Sequence, residues 1–200
     1  MGAGFFHSYH LGWTRVDAGT LLGDLEAAGL RLAHPVTGRI VLDSQDPASP
    51  VSGGTRSPVS REQLLSIAGL ERLDGIGVRL WVSHDLDVLM RIRRAGPRVA
   101  VAEFGLGGLP PEELEKAVRA IRLTVGRASV LCIGFVVDRE GATAGTDWDG
   151  VVVDGTAGLD RWPDAVAVRE GIASGHPQLA ALESVEQSPW RVYGNAVLSV

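Results

Sequence analysis

The sequence predicts an α+β domain in which a mainly antiparallel sheet carries helices packed on one face, built on a β-β-β-α-β core at 78–137. Three observations predict it. Val78 to Phe104 contains three short segments in which apolar and polar residues alternate, the period-2 pattern of strands with one buried face. Pro110, Pro111, Glu112 and Glu113 then open a helix, because proline lacks an N–H that the first turn cannot use and carboxylates favour the positive end of the helix dipole. Ser129 to Val137 is apolar on both faces, as a strand covered above and below must be, and is expected in the middle of the sheet.

Taken in order, Phe5 to Trp13 is short and aromatic-rich, a first strand. Asp17 is a candidate cap for the helix that follows, in which Leu21, Leu22, Leu25 and Ala28 recur at helical spacing until Gly29 stops it. Leu30 and Leu32, the turn Pro35 to Gly38, and Ile40 and Leu42 predict a hairpin. Residues 44–60 are rich in Ser, Pro and Gly and predict a flexible loop, most mobile at Ser52 to Thr55. Ser60 and Gln63 form a capping box for a short helix to about Leu70.

In the central unit Val78, Leu80 and Val82 point one way and Arg79, Trp81 and Ser83 the other. Val88, Met90 and Ile92 continue the apolar face, while Leu89, Arg91 and Arg93 take the opposite one. The helix from Pro110 carries the stripe Leu114, Ala117, Val118, Ile121 and Val125, with Gly126 placed to close it. Glu112 with Lys116 and Glu115 with Arg119 are i,i+4 pairs on its wet side. Beyond Val137 the pattern predicts a Gly- and Asp-rich loop, a short strand at Val151 to Val153, a helix within Asp164 to Ile172 and a closing strand within Trp190 to Val200.

Two hundred residues at 45% hydrophobic content suit a single domain, 1–200. A net charge of −5 gives no global attraction to nucleic acid or to an anionic membrane. Cys132 is the single cysteine, so the fold stands on packing without an internal disulfide, as suits a reducing cytoplasm. No charged leader with an apolar segment opens the chain, and no run approaches the roughly 18 apolar residues of a membrane helix.

No motif fixes a chemistry. Gly105 and Gly107 follow a strand, but Pro110 stands where a dinucleotide fingerprint needs its third glycine. His7 and His10 are an odd number apart and fall on opposite faces of a strand, and His34, His84 and His176 are isolated. Cys132 lies in an apolar run that makes its thiol a small hydrophobe. No Gly-x-Ser-x-Gly or Ser-x-x-Lys occurs.

Two constellations remain. Arg79, Trp81, Arg91 and Arg93 share the second face of the central strands, and Trp and Arg are the types enriched at interface hot spots. Asp138, Asp147 and Asp149, among neighbouring carboxylates, stand near the end of the apolar strand, where such groups hold divalent cations or act as acid and base. The leading expectation is a cytoplasmic, non-enzymatic binding protein, without a cofactor, that holds an acidic protein partner through Arg79, Trp81, Arg91 and Arg93, as an inhibitor or immunity-type protein would. The alternative is a divalent-metal-dependent hydrolase using Asp138, Asp147 and Asp149. An RNA-stacking face is disfavoured because the strands lack the glycine and aromatic signature and the chain is acidic.

Overall fold

The computed structural model describes residues 3–44, 55–69, 76–128 and 130–194. Its strands are β1 (Phe5–Leu11), β2 (Ile40–Ser44), β3 (Thr55–Val59), β4 (Ile76–Trp81), β5 (Asp87–Arg94), β6 (Val99–Gly105), β7 (Cys132–Asp138), β8 (Ala165–Arg169), β9 (Val185–Gln187) and β10 (Trp190–Gly194). They form one open sheet in the order β3-β2-β4-β5-β6-β1-β7-β8-β10-β9, with all pairs antiparallel. The helices are α1 (Arg15–Ala27), α2 (Arg61–Ala68), α3 (Pro111–Arg127) and α4 (Glu170–Gly175), with a one-turn π-helix at Gly150–Asp154. No helix among the described residues is long and apolar enough to cross a membrane.

The α+β class and the mainly antiparallel sheet are as the sequence predicts. β1 adds a step that the local pattern does not contain, because it inserts between β6 and β7, placing Phe6 opposite both Phe104 and Val137. Phe6 stacks on Phe135 at 5.6 Å and meets Phe104 edge-on at 6.1 Å, so three strands separated in sequence share one aromatic centre. The sheet's midpoint is therefore β6 and β1, and β7 lies one place beyond it.

α1, α2 and α3 pack on one face. α1 buries Ala18, Leu21, Leu22 and Leu25, and α3 buries Ala117, Val118, Ala120, Ile121, Thr124 and Val125. Each large aliphatic side chain removed from water contributes about 2 kcal/mol. The pair of Lys116 with Glu113 lies in solvent and adds little beside this, so burial decides where α3 sits. The other face is covered only over its second half. There Phe5, Tyr9, Val99, Val101, Val136, Val166 and Val168 form a second core with Trp148, Val151, Val152, Leu159, Ala173 and Leu179.

Several local expectations change. The α1 cap is Thr14, with Asp17 returning the bond to the Thr14 backbone as a capping box. Gly126 lies inside α3, which closes at Ala128; Lys116 pairs with Glu113 and Glu115 with Arg139, in place of the i,i+4 pairs. Leu30 and Leu32 do not form a hairpin with Ile40 and Leu42: Arg31 bridges Trp81, and β2 pairs with β3 and β4. The far end of the predicted 44–60 loop is strand β3, which accommodates Pro58 because an edge strand does not need every N–H. Ser52 to Gly54 and the rest of that loop's middle lie outside the described residues, as does Leu70.

Val151 to Val153, expected as a strand, lies in the π-helix, which Gly155 ends in the left-handed region at φ 68°. The expected helix within Asp164 to Ile172 is strand β8 followed by α4; Ala165-Val-Ala-Val is buried on both faces as an interior strand, and the helical turn begins only at Glu170. β10 supplies the expected closing strand through Gly194, and 195–200 lie outside the described residues.

Candidate functional site

The face opposite α1, α2 and α3 changes character along the sheet. From β1 to β8 its side chains are apolar and covered, whereas on β2, β4 and β5 they are mostly charged, and among the described residues no helix lies over them. The register brings all four predicted residues to this open half. Arg79 is paired with Leu89, Trp81 with Asp87, Gly77 with Arg91, and Arg91 in turn with Glu103; directly paired residues in an antiparallel ladder point to the same face.

Two chains of alternating charge cross it. Arg79 donates to Asp43 at 3.1 Å on one side and to Asp87 at 2.7 Å on the other, and Arg56 stands 3.9 Å from Asp43. Arg93 donates to Glu103 through Nε and grips Asp149 with two further N–H groups at 2.6 and 2.8 Å. Tyr9 Oη completes the second chain by donating to Asp149 at 3.1 Å. The bond to Asp149 raises the Arg93 guanidinium pKa further. Burial opposes the charge on Asp149, but the Arg93 guanidinium outweighs it and holds the carboxyl below its ordinary range. Burial, then the Asp149 charge, push the Tyr9 phenol pKa up, so it stays a neutral donor.

Arg91 lies between the two chains and has no ion pair among the described residues. Its neighbour across the ladder is Gly77, where an added Cβ would stand 3.0 Å from Leu89 Cδ1 and 3.5 Å from Arg91 Cγ. The missing side chain therefore makes room for Leu89 and Arg91 to lean across β4. Trp81 does not stand free: its ring meets His34 at 4.3 Å, and its backbone exchanges hydrogen bonds with Arg31 at 2.7 and 2.9 Å. Gly77, Arg91 and Glu103 thus lie side by side across the face, with Trp81 toward one end of the strands and Arg93 toward the other.

His7, Tyr9 and Glu103 belong to this site without having been expected there, and Asp149, expected in the carboxylate cluster, joins them instead. Part of the signal was present: Glu103 is the one charged residue within Val99 to Phe104, and His7 is a polar residue between Phe5 and Tyr9 on a face that is otherwise apolar. Burial lowers the His7 pKa, with Glu103 opposing, so the ring is a neutral neighbour of the ladder.

The carboxylates of the alternative reading go separate ways. Asp138 accepts from Gly141 N at 2.7 Å and from Thr143 N and Oγ1 at 2.6 Å each, so it shapes its own loop. Asp147 accepts from Gly150 N at 3.0 Å, and Asp149 belongs to Arg93 and Tyr9. Among the described residues no group of three or more His, Cys, Asp or Glu side chains is placed to hold a metal ion. His7 lies on the face opposite the helices, beside Glu103, and His10 lies on the helical side against Trp13 at 5.3 Å. Cys132 is buried, with its thiol pushed up to about 12 by burial.

Compared with protein-family models, curated proteins and solved structures, the chain matches none.

Proposed function

We infer that the chain is a cytoplasmic, non-enzymatic binding protein that holds an acidic protein partner on the open sheet face, in an inhibitor or immunity-type role. The observation that carries this reading is Arg91. Among the described residues it is the guanidinium of this face without an ion pair, and it stands between two rows of side chains already fixed by ion pairs.

Arg79 and Arg93 now take a different part from the one their sequence suggests. Asp43, Asp87, Glu103 and Asp149 neutralise them, so they frame the site and Arg91 supplies its attraction. A fixed frame lowers the ordering cost of association, and an arginine fork meets a carboxylate with two parallel hydrogen bonds. Leu89 and the outer edge of Trp81 provide apolar area beside the fork, the mixture typical of hot spots. The metal-hydrolase alternative has no comparable observation, since Asp138, Asp147 and Asp149 serve three different partners.

Affinity capture with the full chain tests the reading, with wild type compared against Arg91→Glu and Trp81→Ala and all three first matched by melting temperature. A specific partner with an acidic contact surface should be retained by wild type and depleted on Arg91→Glu. Equal retention of the same partners by folded wild type and both variants contradicts it.

A further inference from the structure

At the other end of the strands from Trp81, β1 ends, the turn from β5 to β6 folds over and α1 begins. A cleft of about 860 Å3 opens there, lined by Trp13, Arg15, Arg94, Pro97 and Arg98 among others. Its walls are fixed by the backbone: Gly12 N–H donates to the Arg98 carbonyl at 2.9 Å, and Ala95 N–H to the Val99 carbonyl at 2.9 Å. Its floor is fixed as well, because Trp13 is buried and its indole N–H donates to the Ala68 carbonyl at 2.9 Å.

Among the described residues three arginines and no carboxylate line this concavity. Arg15 stands 3.9 Å from Glu62 with both side chains exposed, a separation at which the pair contributes little. Arg94 and Arg98 have no ion pair among the described residues. Among the described residues the loose pair of Arg15 with Glu62 is the single ion pair of these three cations, so Arg94 and Arg98 leave positive charge on one small volume.

We propose that this cleft binds a phosphate-bearing small molecule, with Arg15, Arg94 and Arg98 as its cationic ligands. The volume lies within the range of about 300–1,000 Å3 found for small-molecule sites. Guanidiniums arriving from two separate elements suit a phosphate, whose oxygens point in several directions and carry more than one charge; a single carboxylate would engage one fork and leave the others unmatched. The site is independent of the open sheet face, so it stands or falls separately from the partner-binding reading.

Isothermal titration of the full chain with inorganic phosphate and with pyrophosphate, at constant ionic strength, tests it. Wild type should show saturable binding of at least one of the two anions, and Arg94→Ala/Arg98→Ala should weaken it by at least about tenfold. Arg119→Ala, on the exposed side of α3 and outside the cleft, should bind as wild type does. Melting without ligand checks the fold, and Arg98→Gln, an exposed single change, gives the same comparison if the double variant melts early. No saturable binding of either anion at millimolar concentration, or unchanged affinity in a folded cleft variant, overturns the proposal.

Discussion

Arg93 on β5 holds Asp149, the residue that leads into the π-helix, with two guanidinium N–H groups at 2.6 and 2.8 Å. This clamp joins the charged half of the sheet face to the segment that covers the apolar half. A π-turn is rare because its hydrogen bonds are poorly aligned, and it persists where other contacts over-determine it. Here those contacts are the packing of Val151 and Val152 and the grip on Asp149.

The clamp should therefore act as a coupled pair. Arg93→Ala is expected to cost about 2 kcal/mol, since it leaves Glu103 and Asp149 half-buried without a counter-ion, and Asp149→Asn somewhat less. Denaturant unfolding of the two single variants and the double variant should return a coupling of about 1–2 kcal/mol. Additive losses would mean that the two residues act independently. The Asp149 carboxyl is held below its ordinary value of 3.8, so its stabilisation is complete above that value and is lost as pH falls beneath it.

His10 gives a slope of the same sign at higher pH. It is buried, bonded to Ser8 Oγ at 2.9 Å, and burial brings its pKa down to about 4 from 6.5. Above pH 6.5 the ring is neutral in both states and has no effect. Between 6.5 and about 4 the unfolded chain takes up a proton that the native state refuses, so stability falls as pH falls, by roughly 3 kcal/mol in all. Melting temperatures across this window should decline in wild type and decline less in His10→Gln; identical profiles would show that the ring is not what titrates.

Gly134 is a point of close packing of β7 against its neighbours. A Cβ at this position would meet the Ala167 carbonyl oxygen at 2.5 Å and Val152 Cγ1 at 2.6 Å. Neither β8 backbone nor the π-helix can move aside without disturbing the second core. Gly134→Ala should lower stability by at least about 2 kcal/mol in denaturant unfolding. Gly23→Ala, on α1 with open space around it, should be neutral or stabilising under the same conditions.

Much of this architecture was legible from alternation alone. Val78 to Phe104 fixes which residues share a face, and the observed register carries Arg79, Trp81, Arg91 and Arg93 to one side as that alternation requires. What local pattern could not supply was strand order. Nothing within Phe5 to Leu11 states that β1 enters between β6 and β7, yet that insertion brings His7 and Tyr9 beside Glu103 and lets Asp149 reach Arg93. Partner choice was equally hidden: a run of arginines reads as free positive charge until Asp43 and Asp149 arrive from distant segments and Asp87 from the facing strand. Val151 to Val153 misled for a related reason, because a short β-branched run is strand-like by propensity and here becomes a π-turn under the packing of Trp148 and Leu179.

The most direct test of the account is the affinity of the purified partner recovered by wild-type capture, measured by titration against wild type and Arg91→Glu at low and moderate salt. The account predicts that Arg91→Glu weakens binding by about 2 kcal/mol, roughly thirtyfold in Kd, and that wild-type affinity falls as salt rises. An unchanged Kd in a folded Arg91→Glu variant would contradict the claim that the open sheet face is where this protein works.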